Sequence, residues 1–283
     1  MPNNTLSITD VQQENFYGHV LQGSRANSLL RDRYFRQEGF TGTSLQFTRL
    51  DRKNMSRGVA PANIIPIAEG DYKPYVANMQ VYKYRSLVDE NWAVQVAFDQ
   101  PDAESDAASR AMGEAMDEPV VAALKAYTYP AAQKVTKSDA GALRLAAIQG
   151  RKWLRRNSFE IHPTMTTLAI NSDLIDNILE DRDMRSRDFS KAYLQETGEV
   201  NGYPFLRFQL LEIPAGRAHE SRYGAVAATK FYAYDNKCIA GGEQLGKTNI
   251  AWDNNFGGWS IYASLNAGAV IRDPEGVFEG TVT

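Results

Sequence analysis

The chain has little with which to perform covalent, redox or metal chemistry. One cysteine, Cys238, stands in 283 residues, which excludes an internal disulfide and any metal site built from several thiolates. The three histidines, His19, His162 and His219, are far apart and in no metal-ligand spacing. Neither His-Glu-x-x-His nor Gly-x-Ser-x-Gly occurs, so the metalloprotease and serine-hydrolase signatures are missing. No apolar run reaches the roughly 18 residues that cross a bilayer. The polar N-terminus, Met1 to Asn15, lacks the basic-then-apolar order of a secretory signal. Excess charge of one sign is lacking too: the net charge is −3, which argues against a strong grip on nucleic acid. Cys238 reads as a small buried apolar residue. No catalytic residue, metal or cofactor is expected, and the chain reads as a non-enzyme.

What is present is machinery for packing. Pro101 to Tyr127 reads as one long helix. Proline suits its first turn, Asp102, Glu104 and Asp106 lie near the positive end of the dipole, and Lys125 lies near the negative end. Met112, Met116, Val120, Leu124 and Tyr127 recur at spacings of three and four and form one apolar stripe. Pro119 interrupts it, and its missing donor and its clash with the Ala115 carbonyl predict a kink, or two helices meeting at Glu118. Before the helix, Trp92, Val94, Val96 and Phe98 alternate as a strand.

The charge is unevenly placed. Arg25 to Arg57 carries seven Arg and one Lys against three acids, a net +5, and Asp99 to Glu118 carries seven acids against one Arg, a net −6. Opposite segments of this kind fit a head-to-tail contact between copies of the chain. Two solvated faces that touch nothing are the alternative reading. The candidate contact residues are Arg49, Arg52, Lys53 and Arg57 on one side and Asp102, Glu104 and Asp106 on the other.

Along the rest of the chain, residues 1–39 read as an arm with a short helical piece around Ser24 to Gln37. Residues 40–75 alternate Gly and Pro with short strand-like runs, Ser44–Leu50 and Asn63–Ile67, and read as a long extended excursion. Ala131 to Lys137 reads as a linker. A second helix, Ala140 to Asn157, places Leu143, Ala147, Gly150 and Leu154 on one face and ends in a basic cluster, Arg151 to Arg156, which complements its dipole or holds a phosphate. A strand at Thr166–Ile170, a short helix capped by Asn171 or Ser172, and a buried strand over Tyr203–Ile213 follow. The tail reads as strands over Val226–Tyr234, Trp259–Leu265, Ala269–Arg272 and Val277–Val282. His162, ahead of Pro163 at a strand start, reads as structural.

One motif points elsewhere. Gly241 to Thr248 matches the phosphate-loop pattern, with Gly241, Gly246, Lys247 and Thr248 at its fixed positions. That loop needs a helix after it to hold phosphates at its N-terminus. Asn249 to Gly258 has adjacent Asn and Gly pairs that disfavour a helix, and the tail is too short for a parallel nucleotide-binding sheet. The match is read as chance, with a phosphate-loop enzyme as the rival function.

The order of elements and several stretches resemble the major capsid proteins of tailed bacteriophages, the Hong Kong 97-type coat fold. Asp106 to Asp117 is similar to the spine helix of those coats. Ala169 to Ile175 followed by Leu179-Glu180-Asp181 is similar to their strand, cap and helix. Gly198 to Phe205 with Leu210 to Pro214, and Gly268 to Val277, are similar to later coat segments. The likeness covers residues 15–283, with no inserted domain and no long scaffolding segment seen. It implies an α+β fold with an N-terminal arm at 1–39, an extended loop at 40–78, a peripheral domain at 79–130 and 226–283 with the long spine helix, and an axial domain at 131–225. It further implies self-assembly in hexamers and pentamers into an icosahedral shell around double-stranded DNA. Portal and scaffolding or decoration partners, loose DNA contact, no membrane, and assembly in the host cytoplasm into the virion belong to the same expectation. An encapsulin-like compartment shares the fold and is the second reading.

Overall fold

A computed structural model describes residues 18–20, 22–25, 28–50, 72–89, 100–138, 142–162, 164–171, 174, 199–200, 203–204, 206, 208–213 and 229–283. In chain order the elements are β1 (Phe35–Glu38), β2 (Ser44–Leu50), β3 (Tyr72–Asn78), β4 (Gln80–Asp89), α1 (Gln100–Ala126), β5 (Lys134–Lys137), α2 (Ala142–Arg156), β6 (Thr166–Asn171), β7 (Glu199–Val200), β8 (Tyr203–Pro204), β9 (Gln209–Ile213), β10 (Lys230–Asp235), β11 (Ile239–Asp253), β12 (Gly258–Ile271) and β13 (Val277–Val282).

The apolar stripe of α1 explains the architecture. At about 1.5 Å per residue, its 27 residues reach far enough to lie on two sheets. Ala108, Met112, Ala115 and Met116 pack on Ile261, Ala263, Leu265 and Ala267, which face them at period two along β12. One turn later Val120, Val121 and Leu124 pack on Tyr232, Tyr234 and Val277 of the second sheet. The helix runs unbroken through Pro119, which corrects the expectation of two helices meeting at Glu118. Met116 and Val120, on either side of the proline, are each at most 3% exposed. Burial in two separate cores offsets the single lost backbone bond.

The first sheet has the order β1-β11-β12-β4 and the second the order β5-β13-β10-β6-β9, while β2 pairs with β3 as a separate ribbon. Along β10 the side chains alternate between two cores. Phe231 and Ala233 join Leu143, Ala147 and Leu154 of α2, and Tyr232 and Tyr234 face α1. The helix face expected for Leu143, Ala147, Gly150 and Leu154 is the buried one. A Cβ on Gly150 would stand 2.9 Å from the Phe278 ring, so glycine there lets α2 lie close on β13. The tail segment after residue 226 gives β11 and β12 to the first sheet and β10 and β13 to the second. The sequence division at residue 225 therefore falls inside the five-stranded sheet.

Several other boundaries differ from expectation. Phe35–Glu38 is a strand parallel to β11, where a helical piece was read to Gln37. The supposed linker ends in β5, an edge strand parallel to β13. Tyr203–Ile213 is two short strands, with Leu206 between them at φ 50°. The two strands read over Trp259–Arg272 are one strand, β12, continuous through Asn266 to Gly268. The 15-residue β11 is missing from the sequence expectation, which treats Gly241 to Thr248 only as a chance phosphate-loop match. The strand at Trp92–Phe98, the run Asn63–Ile67 and most of the helix after Ser172 lie outside the described residues.

Candidate assembly surfaces

The stretch that matched a phosphate loop is a strand. Gly241 to Thr248 lies within β11, and the pairing with β12 slips between Leu245 and Thr248. Gly246 and Lys247 together oppose Ser264, a β-bulge, and the Ser264 hydroxyl donates to the Lys247 carbonyl at 3.1 Å. A Cβ on Gly241 would meet the Gly268 carbonyl at 2.8 Å, so that glycine serves strand packing. With no loop between strand and helix, the phosphate-cradling geometry is missing.

Several of the charged candidates have partners within their own chain. Arg49 pairs within its own chain, with Asp273 at 3.2 Å and Glu275 at 3.5 Å. Glu104 accepts a hydrogen bond from the Tyr84 hydroxyl at 2.7 Å, and Asp106 lies 3.3 Å from the exposed His19 ring. Asp102 lies in the first turn of α1. Arg52, Lys53 and Arg57 lie outside the described residues. Much of the remaining basic segment is also paired internally. Arg31 contacts Glu243 and Glu38, each at 2.6 Å, and Arg36 contacts Glu38 at 3.0 Å. Glu243 is only 5% exposed, so this cluster fastens β1 to β11 as a partly desolvated ion-pair network.

The most consequential acid was counted among surface charges in the sequence. Asp117 is fully buried on the apolar side of α1. Its carboxylate accepts from the Ser28 hydroxyl at 2.5 Å, the Leu29 amide at 2.7 Å and the Leu30 amide at 3.0 Å. Burial pushes its pKa up to about 6, and these three donors pull the other way. The group pins the incoming N-terminal segment to the middle of α1. Apolar Val120 and Val121 at i+3 and i+4 were the sequence signal for this burial. Cys238 is buried as expected, and burial raises its thiol well above the ordinary range. His162 is tied to the start of β6. Its ring contacts the Thr164 hydroxyl at 2.8 Å and its carbonyl accepts from Thr166.

Among the described residues, large apolar side chains are bare on the β2–β3 ribbon and at the end of the β11–β12 hairpin, besides single ones such as Leu29, Phe35, Leu145 and Met165. On the β2–β3 ribbon, Phe47 and Ala77 turn inward onto Ala240, while Tyr72 and Val76 on the other face are 65% and 50% exposed. At the far end of the β11–β12 hairpin, Trp252 packs edge-on against Trp259, and Phe256 in the turn is 63% exposed. Leu87 and Val81 on β4 are bare on the opposite face of that sheet, at 41% and 61% exposed. Exposed apolar groups gathered on ribbons suit contact with other macromolecules.

A family model described as phage capsid protein matches residues 10–283. No curated protein matches significantly. Among solved structures, one from Mycobacterium phage Che8 is similar at 16% identity, covering 85% of both chains with a TM-score of 0.64. The mature capsid of bacteriophage PhiM1 is similar at 14% identity, covering 90% of this chain and 87% of that one, TM-score 0.64. A virus-like particle from Pyrococcus furiosus is similar at 12% identity, covering 96% and 99%, TM-score 0.58.

Proposed function

Because the chain belongs to the phage capsid protein family, we propose that it is the major coat protein of a tailed phage, self-assembling into an icosahedral shell around double-stranded DNA. The observation that carries this is the family match over residues 10–283, joined to a coat-type fold along nearly the whole chain. The role is structural, and its place is the virion, with assembly in the host cytoplasm. The family match favours a phage shell over an encapsulin-like compartment.

The physics supports the same reading. A ribbon bare on one face gains order when another copy covers it, because the apolar area then leaves water. In this reading residues 40–78 form the extended loop, 79–130 and 226–283 the peripheral domain, and 131–225 the axial domain, with the shared five-stranded sheet joining the last two. Copies meet in hexamers and pentamers, and portal and scaffolding or decoration proteins complete the particle. In this reading Arg49, Arg52, Lys53 and Arg57 of one copy meet Asp102, Glu104 and Asp106 of a neighbour as a salt-sensitive contact, and Arg49, Glu104 and Asp106 also have partners in their own chain.

The test is direct. Purified full-length chain viewed by negative-stain microscopy is expected to form closed shells of uniform diameter. A monomer that stays monodisperse at high concentration, with the stretch between Gly39 and Pro74 equally protease-sensitive at every concentration, would end the proposal.

A further inference from the structure

Between β5 and the last two turns of α2 lies a cavity of about 410 Å³. Four cations line it: Lys134 and Lys137 from the strand, and Lys152 and Arg156 one turn apart on the helix. The convergence is poorly compensated. Glu279 is the nearby acid, and it is shared by Lys134 at 3.8 Å and Lys230 at 3.1 Å. No carboxylate among the described residues lies within 4.0 Å of the Lys137, Lys152 or Arg156 side chains.

The helix dipole explains only part of this cluster. Arg155 and Arg156 occupy the last turn of α2, where cations are favoured. Lys152 sits a turn earlier, and the two lysines of β5 belong to a different element that owes nothing to the helix end. Mutual repulsion among four cations is a cost unless something anionic enters.

The walls are fixed. The Trp153 indole donates to the Glu275 carbonyl at 2.9 Å, and the Gln133 amide donates to the Pro274 carbonyl at 2.7 Å. Both bonds hold the cavity walls to the turn at Pro274–Gly276. With its one donor engaged, Trp153 offers the cavity an apolar ring, and Val135 and Phe278 complete an apolar floor. The space is larger than a lone inorganic ion requires, and its lining joins cations to apolar and aromatic surface. That combination suits a phosphodiester flanked by sugar.

We propose that this cavity is a phosphate site that takes a backbone segment of nucleic acid. The identity of the polyanion rests on the shell reading above, and the cavity itself does not. Selectivity for sequence is not expected, because lysines and an arginine on a phosphate read charge rather than bases.

The test uses the unassembled full-length chain and a fluorescein-labelled 20-base-pair duplex, with affinity followed by anisotropy across a salt series. The double variant Lys152→Gln/Arg156→Gln is expected to bind at least about tenfold more weakly at low salt. Its slope of log affinity against log salt should fall by about 2, since each lost phosphate contact removes about 0.9. A control pair outside the cavity, Lys83→Gln/Lys247→Gln, should stay within about twofold of the parent. Ultraviolet crosslinking of the parent chain to a bromodeoxyuridine duplex should map to the peptide containing Trp153. Equal weakening in the control pair, no binding by the parent at low salt, or a crosslink elsewhere overturns the proposal. Displacement of the duplex by polyglutamate as effectively as by unlabelled duplex overturns the nucleic-acid assignment in favour of an acidic protein segment. Microscopy of the double variant keeps this apart from the shell reading: shells that form normally with DNA binding lost support the site, and a parent chain that binds duplex but never forms shells fails only the shell.

Discussion

The two sheets are finished to different degrees. The five-stranded sheet is clad on both faces: all six residues of β6 are buried, and so are five of the six in β10. The four-stranded sheet and the β2–β3 ribbon are clad on one face, leaving Tyr72, Val81 and Phe256 each more than 60% exposed. A sheet covered on both sides is stable by its own contacts. In the proposed shell, a sheet or ribbon covered on one side is completed by another copy of the chain. The contrast separates what holds the fold from what holds the particle, and substitutions in the two regions should fail in different ways.

The largest effect is expected in the closed sheet. Leu168 is fully buried in β6 against the α2 side. Leu168→Ala should cost about 2–5 kcal/mol, from lost transfer energy and the cavity left behind. Denaturant unfolding of the unassembled chain measures it. Val76→Ser on the bare ribbon face should change that same midpoint by less than about 0.5 kcal/mol while reducing shell yield. Equal losses of monomer stability in the two variants would erase the distinction between the sheets.

Next in size is the link from the N-terminal segment to the spine. Asp117→Ala leaves the Ser28 hydroxyl and the Leu29 and Leu30 amides without their acceptor. Stranding buried donors costs about 1–3 kcal/mol. The loss should appear as faster hydrogen exchange at Leu29 and Leu30 before any change in the five-stranded sheet. Simultaneous loosening of both regions would mean that α1 carries them as one unit.

What the sequence made legible follows periodicity. The stripe of α1, the inner face of α2, and the strands at Ser44–Leu50, Thr166–Ile170 and Val277–Val282 were readable because packing dictates a repeat of 3.6 or 2. β11 was hidden, because Gly241 and Gly246 are there for close approach and a bulge, and local propensity reads such residues as loop. Asp117 was hidden among the acids counted in its segment, and Glu243 inside the Gly241–Thr248 match, because partners 87 or more and 207 or more positions away decide their burial. The candidate contact charges were readable as a segment imbalance. Which of them pair inside the chain is a matter of tertiary geometry, and Arg49 with Asp273 is the clear instance. The lysines of β5 and the cations of α2 were similarly separate until the fold brought them to one cavity.

A smaller effect follows from the raised Asp117. With a pKa near 6 in the folded chain and about 3.9 when unfolded, the native state holds a proton between those values that the unfolded state has released. Stability from this group is therefore greatest below about pH 4, declines as pH rises through the window, and levels off above about 7. Asp117→Asn removes the titration. The difference in stability between parent and Asn variant, measured from pH 4 to 8, should shift against the parent as pH rises. A difference that stays flat would mean that the three donors hold the carboxylate ionised throughout.

The smallest effect is expected at Lys247, where the two regions' rules predict silence. Its side chain is exposed, and its carbonyl, not its amine, is engaged, accepting from Ser264 across the bulge. That contact belongs to the backbone and survives substitution. Lys247→Ala should therefore move the unfolding midpoint by less than about 0.5 kcal/mol and leave shell formation intact. A phosphate loop makes the opposite demand, because its lysine reaches the terminal phosphates of a nucleotide. The parent chain incubated with ATP and magnesium is the decisive control. Hydrolysis by the parent that disappears in Lys247→Ala would show a nucleotide held at the bulge, and the comparison of a closed sheet with an open, partner-seeking one would need to be redrawn around it.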